Sequence, residues 1–190
     1  MISGIFLLGA LTSAATASPP PPAELTPATA ALIASLRRPA PADTVYTEVR
    51  FVHVLRRPMV LRGELHYGGA GQLGKRVDAP YRETTTVAAN EVRVQREGKD
   101  ERRFSLDRAP ELGALLSSFS ALLGGDGAAL NRDFSVAAVQ HNTDWRLTLK
   151  PRSAALAKQL SAMIVDGRGG EPRCFTLNEA DGDASVMLLG

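Results

Sequence analysis

The sequence predicts an α+β fold: one antiparallel β-sheet of about ten strands, with two principal helices covering it. Three observations carry that expectation. From Thr44 onward, apolar residues recur with a period of two in short segments separated by turn signals. The early segments follow one another without helical crossovers, which reads as an antiparallel meander. Two other stretches switch to the i, i+3, i+4 spacing of amphipathic helices.

The first helix is expected after Thr26, a good N-cap, with Pro27 at the first helical position and Pro39 ending the run after Arg37-Arg38. Leu25, Leu32, Ile33 and Leu36 form its apolar stripe. A long strand follows from Thr44 to Leu55, in which Val45, Thr47, Val49, Phe51, His53 and Leu55 alternate with Tyr46, Glu48, Arg50, Val52 and Val54. After the Arg57-Pro58 turn, Met59, Leu61, Gly63, Leu65 and Tyr67 share one face of a second strand. Shorter strands are expected at Leu73–Asp78, Arg82–Val87, Glu91–Glu97 and Arg102–Leu106. The second helix opens at Pro110 and closes at Gly124-Gly125. One side carries Leu112, Leu115, Leu116, Phe119, Leu122 and Leu123; the other carries Gly113, Ala114, Ser117, Ser118 and Ser120, with hardly a charge. Strands resume at Phe134–Gln140 and Trp145–Lys150. A short helical piece at Ser153–Gln159 leads to strands Ala162–Asp166, Arg173–Asn178 and Ala184–Leu189.

Ahead of this domain, Gly4 to Leu11 form an apolar run too short to span a bilayer, followed by small residues ending in Ala15-Thr16-Ala17. That order is the pattern of a secretory signal with cleavage after Ala17, and the proline-rich Ser18–Pro22 then serves as a tether. No other segment has the length and apolarity of a membrane span. The roughly 170 residues beyond the signal suit one domain with a sizeable core. Cys174 is the single cysteine, which rules out a disulfide framework within the chain and a cysteine zinc site. A formal charge of +2 and 5% aromatic residues leave no footprint for nucleic acid.

Chemical motifs are few. Gly69-x-Gly71-x-x-Gly74 matches a dinucleotide-binding pattern, but the following Lys75–Asp78 is extended rather than helical, so it reads as a glycine hairpin loop. His53, His66 and His141 lack convergent metal-ligand spacing. Ser117 and Ser118 sit mid-helix without an elbow, and carboxylate pairs such as Asp181/Asp183 fall in turns. The basic pairs Arg37-Arg38, Arg56-Arg57, Lys75-Arg76 and Arg102-Arg103 are interleaved with acids and read as solvated strand ends; the sharper alternative is a docking surface for an anionic headgroup or partner. The expectation is a protein without a catalytic site, metal or cofactor.

The order of helix, long strand, Leu61-Arg62-Gly63-Glu64-Leu65-His66-Tyr67, inserted helix and closing strands resembles the LolA-type outer-membrane lipoprotein carrier family. The stretch Trp145–Arg152, then Ala155-Leu156-Ala157-Lys158, Ile164-Val165-Asp166-Gly167 and Glu179-Ala180-Asp181-Gly182-Asp183, is similar to the LolA-related branch. The family's usual Arg-Pro with following aromatics after the second strand is replaced by Gly68 to Lys75, so no lid-latching arginine is carried over.

The resemblance implies an incomplete antiparallel β-barrel whose helices form a lid over an apolar cavity for acyl chains. It also implies a monomeric periplasmic carrier for acylated lipid or lipoprotein cargo, with an inner-membrane donor and an outer-membrane acceptor. The expected layout is a signal peptide over 1–17, a tether and N-terminal helix over 18–44, and a half-barrel lipid-binding domain over 45–190. Cavity-lining candidates on the sheet are Phe51, Leu61, Leu65, Val94, Phe134 and Trp145; on the inserted helix they are Leu115, Leu116, Phe119, Leu122 and Leu123. The alternative reading is a sensor or regulatory interaction module with the same half-barrel.

Overall fold

The computed structural model describes residues 24–190. The expected signal, its cleavage point and the Ser18–Pro22 tether lie outside the described residues. Eleven strands form one sheet: β1 Ala42–Phe51, β2 Met59–Gly69, β3 Gln72–Ala79, β4 Glu83–Ala88, β5 Glu91–Arg96, β6 Arg102–Ser105, β7 Phe134–His141, β8 Asp144–Pro151, β9 Leu160–Arg168, β10 Glu171–Glu179 and β11 Ala184–Leu189. Their order is β6-β5-β4-β3-β2-β1-β11-β10-β9-β8-β7, every pair is antiparallel, and the sheet stays open between β6 and β7. The first and last strands are neighbours at its centre, so two meanders are joined along β1 and β11.

Helices cover one face. α1, Pro27–Ser35, begins as the sequence predicts: the Thr26 side chain accepts a hydrogen bond from the Thr29 N–H, and Pro27 occupies a position that needs no donor. It ends sooner than expected, leaving Arg37 and Arg38 beyond it. There the Arg38 N–H donates to the Leu123 carbonyl at 2.8 Å and Arg37 Nε donates to the Gly124 carbonyl at 3.2 Å. α2, Pro110–Gly124, follows a short 3-10 turn, Leu106–Arg108, and stops at Gly125, whose φ of 68° is a left-handed cap. α3, Gly127–Asp133, is capped by Asp126 and was not foreseen from the sequence. α4, Ala154–Ala157, is one turn capped by Ser153.

The main core lies between these helices and strands β7–β11. Ile33 and Leu36 of the α1 region, Leu122, Leu130, Phe134, Leu147, Leu149, Met163 and Val165 are fully buried in it. A tight contact fixes one edge: a Cβ on Gly167 would sit 2.1 Å from the Trp145 ring, whose Nε1 donates to the Gly169 carbonyl at 2.7 Å. On α2, Ala114, Ser118, Ala121 and Leu122 form the packed side, and Ser118 Oγ donates to the Ala114 carbonyl. The small side of the helix is therefore partly a packing face rather than wholly a solvent face. Small residues there let the helix approach the core closely; of the leucine-rich stripe only Leu122 is fully buried, and Leu112, Leu115, Leu116, Phe119 and Leu123 are half-buried.

A second, smaller cluster holds the other half: Tyr46, Leu61 and Val77, with Met59, Leu65 and Tyr81 packed against it. Gly63 is required at its centre, because a Cβ there would lie 1.8 Å from the Arg76 carbonyl, beside a register irregularity between β2 and β3.

Candidate functional site

Strand pleating assigns each inner-face side chain. Across β2, β3, β4, β5 and β6, cross-strand partners line up as Tyr67, Leu73, Val87, Val92 and Phe104. Partners in an antiparallel ladder share a face, so these five form an apolar row at one end of the sheet's inner face. α2 crosses this end, packing on β2 and β3. Between them lies a groove of about 460 Å³ lined by Tyr67, Leu73, Val87, Leu106, Leu116 and Ala121, with Ser117, Ser120, Gly124 and Arg37 among its polar and small wall residues. The Gly71 N–H of the β2–β3 turn donates to Ser120 Oγ at 3.2 Å, linking turn and helix across the groove. A second depression, about 410 Å³, is bounded by Arg76, Asp78, Arg82, Glu83 and Glu97, with Val77, Thr84 and Gln95 between them, and no residue of α2 lines it.

The expected lining residues fall in different places. Leu116 lies in the groove. Leu61, Leu65 and Val94 are on the inner face beyond it. Leu115 and Phe119 pack against the main core, Phe119 with its ring centroid 5.4 Å from that of Phe175. Leu122, Phe134 and Trp145 are buried within that core, and Leu123 sits half-buried where α1 docks. Phe51 is a correction: it is 47% exposed on the outer face at the end of β1, which stops there instead of continuing to Leu55. The reason is register. Leu61 and Leu65 point inward and pair with Glu48 and Thr44, so the even-numbered residues of β1 face in and Val45, Val49 and Phe51 face out.

That inversion puts charge inside. Tyr46, Glu48 and Arg50 project from β1 and Lys75 from β3 onto the inner face. Only 3% of Glu48 is exposed; its carboxylate accepts a 2.8 Å hydrogen bond from Arg50 Nε and another from Lys75 Nζ. Lys75 Nζ also stands over the Tyr46 ring, 5.1 Å from its centroid. Burial alone would raise the Glu48 carboxyl, but the Lys75 and Arg50 cations outweigh it and hold it below the ordinary carboxylate range. Burial draws the Lys75 ammonium below its ordinary value against the pull of Glu48. Its neighbour Arg76, alike in sequence, points outward to Glu64 and Asp78.

Replacing Glu48 by Gln leaves two partly buried cations without their counter-ion. A cost of about 3 kcal/mol in urea unfolding is expected at neutral pH. The sign with pH follows from the lowered carboxyl: the stability it contributes is present above the ordinary carboxylate range and is lost as pH falls through the lowered value. Acid titration of the wild type and of Glu48→Gln should therefore converge.

At the opposite edge of β1, the His53 N–H and Nδ1 both meet Asp183 Oδ1, at 2.9 and 2.6 Å, tying the β1–β2 loop to the β10–β11 turn. Asp181 joins them within 4.8 Å; its carboxylate accepts the Asp183 N–H within the β10–β11 turn, while His53 and Asp183 bond to each other across the two loops. The hydrogen bond and charge of Asp183 raise the imidazole above its ordinary value. The ion pair's contribution is complete below the ordinary histidine range and fades as pH rises through the raised value. NMR titration should find His53 elevated, and Asp183→Asn should return it to the ordinary range.

Comparison with known proteins gives the chain's family. The model of the outer membrane lipoprotein carrier protein LolA-like family matches residues 22–190, and the chain belongs to that family. Among solved structures, it is similar to a LolA superfamily protein from Nitrosomonas europaea, at 10% identity and a TM-score of 0.49, covering 88% of this chain and 92% of that one. It is also similar to LprF from Mycobacterium bovis, at 10% identity and a TM-score of 0.35, covering 87% and 92%. No curated protein matches the chain significantly.

Proposed function

We propose that this chain is a periplasmic carrier. It holds the acyl chains of a lipoprotein or another lipid under α2 and passes them from an inner-membrane donor to an outer-membrane acceptor. The observation that carries the reading is the groove between α2 and β2–β4, walled by Tyr67, Leu73, Val87, Leu106 and Leu116. Its volume of about 460 Å³ lies within the range typical of small-molecule sites, about 300–1,000 Å³. Family membership supports a binding role, and the expected signal supports export.

Alkyl burial supplies the affinity, at about 0.8 kcal/mol per methylene. The same magnitude makes transfer nearly thermoneutral when an acceptor buries the chain equally well. α2 acts as a strap rather than a hinged flap. Its C-terminal end is held by the Arg37 and Arg38 contacts, and its N-terminal end by the 3-10 turn, where Leu106 N–H donates to the Asn90 carbonyl. Cargo entry then requires the strap to lift from β2 and β3, breaking the Gly71–Ser120 bond.

The test is native mass spectrometry of protein recovered from the periplasm of an expressing cell, with extraction of whatever is bound. A stoichiometric acylated ligand is the expected result. An empty protein that also ignores added fatty-acyl probes overturns the proposal.

A further inference from the structure

The inner face of β1–β6 changes character along the strands. Its α2 end is the apolar row from Tyr67 to Phe104. Two residues further along each strand, the next row reads Thr44, Leu65, Lys75, Thr85, Val94 and Arg102. The row beyond holds Tyr46, Gly63, Val77, Glu83 and Arg96. Glu48 and Arg50 follow on β1. Each step of two residues is about 7 Å, so charge begins within reach of one end of an alkyl chain seated in the groove.

Burying a carboxylate costs several kcal/mol before its partners repay it, and well-packed apolar residues often do the same structural work. A site for alkyl chains alone gives no reason for that choice. The cluster also carries an excess of positive charge: Arg50, Lys75 and Arg96 face Glu48 and Glu83. Glu48 clamps two cations at once, and Arg96 lies over the Tyr81 ring at 4.0 Å. Independently, the Tyr46 hydroxyl, in a residue 2% exposed, has no hydrogen-bond partner; it is the one such buried side-chain atom among the described residues. Burial and the neighbouring Glu48 charge raise its pKa, so it stays a proton donor near neutrality. A buried donor left without an acceptor is destabilising and rare in native proteins.

We propose that Lys75, Arg50 and the Tyr46 hydroxyl form a headgroup site for an anionic amphiphile, a carboxylate or phosphate whose alkyl chain lies in the groove under α2. The proposal rests on the acyl-binding reading and adds the polar end of the cargo. Glu48 positions both cations and leaves one net positive charge for the ligand. The incoming anion's oxygen would accept the Tyr46 proton that nothing in the protein accepts.

Three ligands of equal chain length separate the claims: palmitate, hexadecyl phosphate and uncharged hexadecanol, each competing with a fluorescent acyl probe. The wild type should bind at least one of the anions about tenfold or more tightly than hexadecanol, and which anion wins identifies the headgroup. Tyr46→Phe removes only the orphan hydroxyl, so it should fold at least as stably as the wild type and lose about tenfold in affinity for the preferred anion. Lys75→Met should bring that anion down to the level of hexadecanol. Equal binding of all three ligands by the wild type, or anion affinity unchanged in folded Tyr46→Phe, overturns the headgroup site and leaves the alkyl groove standing. Failure of all three ligands to bind overturns both.

Discussion

Leu116→Asp is expected to lower acyl-chain affinity by at least about tenfold while leaving the protein folded. Leu116 is half-buried and lies in the groove rather than in either core cluster. In the empty protein, therefore, an aspartate there has access to water. With an alkyl chain in place, the same carboxylate is desolvated against hydrocarbon, and the leucine contact, worth about 1.5–3 kcal/mol, is gone. Titration with a fluorescent acyl probe measures the loss, and far-UV circular dichroism checks the fold. Phe119→Asp would be a poor substitute, because Phe119 packs on Phe175 in the main core. Unchanged binding in folded Leu116→Asp contradicts the groove.

Phe134→Ala should cost about 3–5 kcal/mol of stability, whereas Phe51→Ala should stay within about 0.5 kcal/mol of the wild type. Phe134 is fully buried where β7 begins beneath the helices; Phe51 is 47% exposed on the outer face. The deletion at 134 opens a cavity among Leu130, Leu147, Leu149 and their neighbours, which α3 and β8 hold in place. At 51 there is no packed shell to leave empty. Urea denaturation of the two variants measures both effects, and comparable losses would contradict the assignment of faces on β1.

These two phenylalanines show how far the sequence was legible. Period-two patterning located each strand, and helical spacing located α1 and α2 with their caps at Thr26 and Gly125. The face that Leu61 and Leu65 present was also readable, since their strand alternates cleanly with Arg62, Glu64 and His66. On β1 both faces carry hydrophobic and polar residues, and local hydrophobicity favours the wrong one: Val45, Val49 and Phe51 look more buried than Glu48 and Arg50. Only pairing with β2 and β11 decides it, and pairing is a long-range property. The apolar row in the groove was hidden for the same reason, because Tyr67, Leu73 and Val87 become neighbours only through two hairpin registers. α3 is too short to show a period, and its only local signal is the Asp126 cap.

The buried charges depend on that same hidden register. Lys75-Arg76 reads as one basic pair at a strand end, yet the pleat sends Lys75 to Glu48 and Arg76 to Glu64 and Asp78. A reading that treats such pairs as solvated misses half of them whenever one face of the strand is covered.

The most direct test of the central claim, that an alkyl chain lies between α2 and β2–β4, is photolabelling with a palmitate bearing a diazirine on its chain, followed by mapping of the labelled residues. Adducts are expected on Tyr67, Leu73, Val87, Leu106 or Leu116. Adducts confined to the outer-face residues Val45, Val60 and Leu188, or no specific labelling, would contradict it.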